Sequence, residues 1–293
     1  MDVVIVFNGL GNQMSQYAMY LSKRHLNPNT KWLYYPDKEI EQHNGYELEH
    51  VFGIKCRNNS NSFLGKIYTL LRYSKNGTGK KRWVIKMILR CLGITEYREQ
   101  SCLVDKKVIN PSADNLRYIW GGWHSEKYFA QVVDEIKAVY TFDEKMLDIE
   151  SREMLMSIKS SNSVSIHVRR GDYVKHSAFD GICTMEYYEE AIKHICAKVS
   201  QPRFFIFSDD TDWAKEHFNK PNMKVVVGHL GAEAWKDMFL MSQCKHNINA
   251  NSTFSWWAAW MNPNPDKMVF VPRRFNNLTM HHEIYPDRWI KIL

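Results

Sequence analysis

Three clusters of side chains in this sequence have the types and spacing to do chemistry. The first is His167, Arg169, Arg170 and Asp172, in the run Val164-Ser165-Ile166-His167-Val168-Arg169-Arg170-Gly171-Asp172-Tyr173. Apolar alternation predicts a strand there, and a strand that ends in two arginines sets two planar guanidinium forks at the edge of a sheet. Each fork can take phosphate oxygens through parallel hydrogen bonds, so the pair suits a diphosphate better than a point-charge lysine would. A solvated, salt-bridged turn is the competing reading of Arg-Arg-Gly-Asp taken alone. The second cluster is Phe207-Ser208-Asp209-Asp210. Its continuation, Asp210-Thr211-Asp212, spells the Asp-x-Asp of a divalent-metal pair. A helical pattern starts at the same place, which favours helix capping as the role of Asp212. The third cluster is Asn251, Ser252, Thr253 and Ser255, where a helix begins and its unpaired N–H groups join hydroxyls and an amide that can meet an anion.

Repeated strands and helices must carry these clusters. In the second half, strands are expected at Val164–Val168, Arg203–Phe207, Lys224–Val227, His246–Ala250 and Met268–Val271. Helices are expected near Thr184–Val199, Asp212–Phe218, Glu233–Ser242 and Ser252–Trp260. Such alternation predicts a parallel, doubly wound sheet, whose ligands bind beyond the carboxyl ends of the strands. The first half opens with Val3-Val4-Ile5-Val6-Phe7, a buried-strand pattern. Gly9 and Gly11 follow in a tight turn, then Met14, Tyr17, Ala18 and Leu21 at helical spacing. Lys31–Tyr35 and Leu116–Trp120 read as strands, Tyr46–Phe52 as a short helix stopped by Gly53, and Glu126–Tyr140 as a helix capped by Ser125. Glu150 through Ser163 is polar and marks the expected boundary between residues 1–158 and 159–293.

The run from His167 to Tyr173 resembles the H-x-R-R-G-D-Y pattern of family 11 of the glycosyltransferases, the α-1,2-fucosyltransferases. Asn8 through Ala18 resembles the family's opening G-G-L-G-N-Q-M-F-Q-Y-A, departing at Asn8 and Ser15. Phe207–Asp210 resembles its second donor-side motif and Asp237 through Trp260 its third. Gly122 to Phe129 is similar to G-Y-x-Q-S-E-K-Y-F, departing at Trp123 and His124, whereas Arg57 to Leu116 matches nothing in the family's pattern. The resemblance implies a GT-B architecture: two facing Rossmann-like domains with mostly parallel sheets, the first taking the acceptor and the second GDP-fucose. The implied reaction is inverting transfer of L-fucose to the 2-OH of a terminal galactose, with no metal and no other cofactor. Arg169, Asp172 and Asn12 are the expected catalytic residues. His167, Arg169, Arg170, Asp209, Asp210, Asn251, Ser252, Thr253, Ser255, Gly11 and Gln13 are the expected donor contacts, one of the two aspartates meeting a guanine N–H. Asp172 is the nearest carboxylate to serve as general base, with structural pairing to Arg170 as its alternative. Trp120 and Trp123 are placed at the acceptor as stacking surfaces, with core packing as the competing role. A related enzyme using another nucleotide sugar, and a non-catalytic sugar- or nucleotide-binding module, are the alternatives.

Composition narrows the setting. The chain has 293 residues, enough for two domains that each bury a core. No apolar run approaches the roughly 20 residues of a membrane-crossing helix, and the sequence reads as a soluble cytoplasmic protein. Six scattered cysteines without a C-x-x-C pair suit reduced thiols rather than a disulfide frame or a zinc site. The net charge of +7 is local. Between Glu49 and Glu96 there is no acidic residue, while Lys55, Arg57, Lys66, Arg72, Lys75, Lys80, Lys81, Arg82, Lys86 and Arg90 are all basic. This segment, about 55–98, reads as an insertion whose field attracts an anionic surface. A peripheral contact with anionic membrane is expected rather than a nucleic-acid partner. Arg82, Lys86 and Arg90 line one face of an expected helix from Arg82 to Arg90, which either lies on lipid or packs on the protein's own core.

Overall fold

The computed structural model describes residues 1–36 and 44–292. Its contacts divide the chain into two compact units, Met1–Thr141 and Phe142–Leu293. The first unit runs β1 (Asp2–Val6), α1 (Leu10–Leu26), β2 (Lys31–Tyr34), α2 (Leu48–Phe52), α3 (Phe63–Asn76), α4 (Lys80–Cys91), β3 (Ile94–Arg98), α5 (Lys106–Ile109), β4 (Leu116–Trp120) and α6 (Val133–Val139). Its sheet has the order β2-β1-β4-β3, with every pairing parallel. β1 is buried along its whole length, as a strand covered on both faces must be. Tyr68 and Leu71 of α3 and Leu89 of α4 pack on Val3, Ile5, Leu33 and Tyr118, so both helices cover the same sheet face. In the same unit, Lys23 is buried with Asp2 at 2.7 Å and donates to the carbonyls of Val108 and Ile109 at 2.6 and 3.0 Å. Those hydrogen bonds satisfy carbonyls that the short helix α5 leaves open.

The second unit runs α7 (Ile149–Lys159), β5 (Asn162–Val168), α8 (Met185–Lys198), β6 (Pro202–Ser208), α9 (Thr211–His217), β7 (Met223–Val225), α10 (Trp235–Ser242), β8 (His246–Ile248), α11 (Thr253–Met261), β9 (Val269–Pro272) and β10 (Ile290–Ile292). Its six strands are ordered β10-β9-β8-β5-β6-β7 and again pair only in parallel. From β5 the chain winds outward through β6 and β7, then returns to add β8 on the other side. β5 and β8 therefore flank the point where the winding reverses, the place at which open α/β sheets leave a crevice beyond their carboxyl ends. Tyr187, Tyr188, Ala191 and Ile195 form the buried stripe of α8 against Val164, Ile166 and Ile206.

Four expectations need correction. The boundary lies at Thr141/Phe142 rather than near 158, because α7 packs on α10 and β5. The sequence shows no clear stripe for that helix, because its buried side, Ser151, Leu155 and Ile158, includes a serine, while Ile149 and Met156 face solvent. The basic segment, read as an insertion, is built into the sheet, since it ends in β3, an edge strand paired with β4. The single helix expected over 126–140 is two 3₁₀ turns followed by α6, and the Ser125 hydroxyl makes no capping bond.

Candidate active site

The second unit gathers its chemistry at the carboxyl edge of the sheet. β5 ends at Val168, and the next residues, Arg169 and Arg170, leave the ladder beside the end of β6, where Val168 pairs with Ser208. The Arg169 guanidinium bridges two carboxylates: Nη2 lies 2.8 Å from Asp172 Oδ1 and Nη1 lies 3.0 Å from Asp209 Oδ2. Its carbon sits 5.5 Å from the centre of the Tyr173 ring. Arg170 reaches Asp210 Oδ2 through Nε at 3.1 Å and lies 4.2 Å over the Trp213 ring. The Arg170 backbone N–H donates to Asp209 Oδ1 at 2.9 Å. Asp209 thus ties the loop after β5 to the loop after β6, and Gly171 leaves it room: a Cβ there would stand 2.7 Å from Asp209 Oδ2.

These contacts decide between several readings. Asp172 pairs with Arg169, not with Arg170. Helix α9 is capped by Asp210, whose Oδ1 accepts from the Trp213 N–H at 3.2 Å, rather than by Asp212, whose side chain is almost fully exposed. Asp210 and Asp212 have different partners: one is held by Arg170 and the helix end, the other pairs with Lys215 in solvent. Two guanidiniums meet three carboxylates here, so the cluster is not a bare cationic pocket. A guanidinium carries five N–H donors, and the two ion pairs of Arg169 leave donors for a ligand.

The start of α11 completes this edge. Ser252 caps the helix by accepting from the Phe254 N–H at 3.3 Å, and Phe254 places its ring 5.8 Å from His167. The Tyr173 hydroxyl donates to the Asn251 carbonyl at 3.4 Å, joining the Arg169 loop to the helix start. The Asn251 and Ser255 side chains are turned inward. Asn251 donates to the Phe275 carbonyl at 3.1 Å, and Ser255 is fully buried with its hydroxyl toward the Ala250 and Ser252 carbonyls. They shape the turn, and Ser252 is buried at the cap, while Thr253 and Phe254 in the first turn of the helix are half-buried. His167 is buried, and burial together with the Arg169 charge lowers its pKa to about 3, so the ring is neutral near pH 7. Its Nδ1 and the Asn249 Nδ2 are buried with no hydrogen-bond partner among the described residues. Unspent polar atoms at a sheet's carboxyl edge have capacity for a ligand.

A further group at this edge was not singled out from the sequence. His229, just beyond β7, places Nδ1 2.6 Å from Asp237 Oδ1 and Nε2 3.0 Å from Ser151 Oγ. The hydrogen bond to Asp237 raises the imidazole pKa against the opposing effect of burial. Lys236 joins the same cluster through Asp148, at 2.8 Å, so α7, α10 and the loop after β7 are locked together. Gly228, in the loop after β7 and directly before the histidine, was the available signal.

In the first unit, the residues expected from the opening motif serve mainly to build the turn. Gly9 caps α1, and Gln13, fully buried, donates to the Asn8 and Gly45 carbonyls at 2.6 and 2.7 Å while accepting from the Glu47 N–H at 3.0 Å. Asn8 takes a positive φ of 62°, which asparagine tolerates better than most residues. Gly11 is buried in the first turn, and Asn12 beside it is half-buried. Trp123 is fully buried, stacked on Tyr97 and edge-on to Tyr128, so it is a core residue and not a sugar platform. Half-buried Glu99 holds its turn by accepting from the Gly122 N–H at 2.7 Å. Trp120 is half-buried, stacked on Phe7 at 4.8 Å with the Arg98 guanidinium over its ring.

A family model described as Glycosyl transferase family 11 matches residues 2–293. The chain belongs to that family. It is 28% identical to an Escherichia coli alpha-1,2-colitosyltransferase, with 100% of this chain and 99% of the relative aligned. It is 42% identical to the Escherichia coli O-antigen biosynthesis glycosyltransferase WbnK over 46% of each protein. It is 30% identical to galactoside alpha-(1,2)-fucosyltransferase 1 of Aotus azarae, covering 46% of this chain and 40% of that one. Among solved structures, a mutant of Arabidopsis thaliana FUT1 in complex with GDP superposes with a TM-score of 0.51 at 12% identity, over 92% of this chain and 70% of that one. The fold is of the GT-B type, with a parallel α/β sheet in each unit, and the protein is a glycosyltransferase. Among the described residues, no helix is long and apolar enough to cross a membrane.

Proposed function

We propose that this chain transfers L-fucose from GDP-fucose to the 2-OH of a terminal galactose, with inversion and without a metal. The observation that carries the reading is the double-guanidinium edge at the reversal point of the second sheet, next to the α11 N-terminus, in a chain similar to two relatives named for α-1,2 transfer. In such a displacement the acceptor oxygen forms a bond to the anomeric carbon as the bond from that carbon to the diphosphate oxygen breaks. GDP leaves with the electron pair, and the hydroxyl proton passes to a base. The developing charge is largest on the diphosphate, where fixed donors are worth most. Arg169, Arg170, Ser252, Thr253 and the first N–H groups of α11 are the donors assigned to it. Asp172 and Asp209 hold the Arg169 fork in place before the donor arrives. Neutral His167, unable to add charge, offers a hydrogen bond to the donor. Asp210 is reserved for Arg170 and the α9 cap, which argues against a metal held between Asp210 and Asp212.

The whole-length similarity to an alpha-1,2-colitosyltransferase favours one second reading, in which the donor carries colitose, a 3,6-dideoxy sugar, instead of fucose. GDP release with lactose as acceptor, in excess EDTA, tests the proposal. Turnover with GDP-fucose is expected to persist under chelation. Turnover with GDP-colitose alone would hand the donor site to the second reading. Loss on chelation that Mg²⁺ or Mn²⁺ restores would overturn the metal-independent chemistry, and GDP-fucose binding without turnover would mark a binding module.

A further inference from the structure

Helices α3 and α4 carry their apolar residues on the wrong side for helices at a water-facing surface. An α-helix advances about 100° per residue, so an amphipathic helix on a sheet keeps one stripe inward and a polar face outward. In α4 the inward stripe is only Leu89 and the partly buried Ile85. The opposite face presents Trp83 at 60% exposure, Val84 at 58%, Met87 at 69% and Ile88 at 53%. In α3, Tyr68 and Leu71 point inward, while Phe63 at 78% exposure, Leu70 at 46% and Tyr73 at 39% recur along the outward side. Both helices pack on the same face of the first sheet and contact one another, so their outer faces both turn away from it. One exposed apolar side chain is ordinary, but seven on two adjacent helices form a surface that calls for an occupant.

Charge selects the occupant. Lys66 lies within the α3 outer stripe, Lys80 begins the outer face of α4, and Lys86 and Arg90 border it, with Lys86 Nζ 5.4 Å from the Trp83 ring. The whole stretch between Glu49 and Glu96 contains ten basic residues and no acidic one. A shallow apolar face rimmed by Lys and Arg, with a tryptophan and a tyrosine among its exposed residues, is the composition of helices that lie in the interface of an anionic bilayer. A second copy of this chain would bring the same positive rim against itself, which opposes pairing. We infer that the α3–α4 face binds the surface of anionic lipid bilayers, its apolar residues entering the headgroup boundary and its basic rim meeting lipid phosphates. This contact is independent of the sugar-transfer reading, and binding alone tests it.

The test is co-sedimentation of the full chain with vesicles of phosphatidylcholine and with vesicles that also contain phosphatidylglycerol. Binding is expected to the anionic vesicles and to weaken as salt rises. Lys86→Gln and Arg90→Gln should each lower the partition coefficient about five-fold, the effect of one basic residue near such a surface. Trp83→Glu combined with Met87→Glu should abolish binding even at low salt, with thermal melting unchanged because both side chains are exposed. As a second readout in the otherwise native protein, brominated lipid should quench a fluorescence component that Trp83→Phe removes. Equal pelleting with neutral vesicles, no pelleting with either, or anionic binding unaffected by these substitutions would overturn the inference. So would a dimer in solution that the Trp83→Glu, Met87→Glu variant dissociates, which would assign the face to a second copy.

Discussion

Replacing Arg169 by lysine keeps the charge and removes the fork. In the structure the two terminal nitrogens meet different carboxylates, Asp172 at 2.8 Å and Asp209 at 3.0 Å, and a single ammonium can sit at only one of them. Side chains on both sides of these pairs are partly exposed, and such pairs are worth roughly 0.2–1 kcal/mol each. The structural loss is therefore about 1 kcal/mol, or roughly 2–4 °C in melting temperature for a domain of this size. If the same fork holds the leaving diphosphate, one donor directed at the developing charge is lost, typically roughly 10²–10³ in kcat. Ground-state affinity for GDP should fall much less, about five-fold for one hydrogen bond whose charge is retained. The catalytic effect exceeds the structural one by about 2 kcal/mol, so kcat, GDP titration and thermal melting on one preparation separate them. Asp172→Asn is the control, because it breaks the same ion pair and leaves the guanidinium intact. If a well-folded Arg169→Lys protein turns over normally, or if both variants lose activity only as they lose stability, the β5 edge is not where the leaving group is stabilised.

Two further outcomes are expected. Gly171→Ala sets a Cβ 2.7 Å from Asp209 Oδ2 and must push that carboxylate off Arg169 and the Arg170 N–H. The variant should melt about 1 kcal/mol less stable, as partly exposed bonds are lost, and bind GDP more weakly; native GDP affinity would show that Asp209 has no part in arranging the donor edge. For His229, NMR titration should find a pKa above the ordinary value near 6.5, because Asp237 accepts its hydrogen bond. A raised histidine contributes stability that is complete below about pH 6.5 and disappears as pH climbs through the folded value, and Asp237→Asn should remove that dependence. A His229 that titrates at or below 6.5 would contradict the pairing.

Much of the second unit is legible in the sequence. Apolar alternation at Val164–Val168, the continuous apolar run in Arg203–Phe207 and the helix near Thr184–Val199 are local patterns, and local patterns survive folding when both faces of a sheet must be buried. The arginine pair was legible for a related reason: once its strand is placed, the chain direction alone puts the next residues at the carboxyl edge. Partner choice was not. Whether Asp172 meets Arg169 or Arg170, and whether Asp210 or Asp212 caps α9, depends on where the loop after β6 comes to rest beside the loop after β5. Those loops are about forty residues apart in sequence and adjacent only because β5 and β6 pair in parallel. The same limit applied to Trp123, Asn251 and Ser255, whose residue types suit a binding site but whose side chains the surrounding packing turns inward. It also hid the α4 surface, because a helical wheel shows which residues share a face but not which face the sheet will cover. Sequence thus determined the elements and the chemistry available at their ends, through interactions a few residues long. Which of those groups meet one another was decided by contacts between distant segments, and only the tertiary structure contains them.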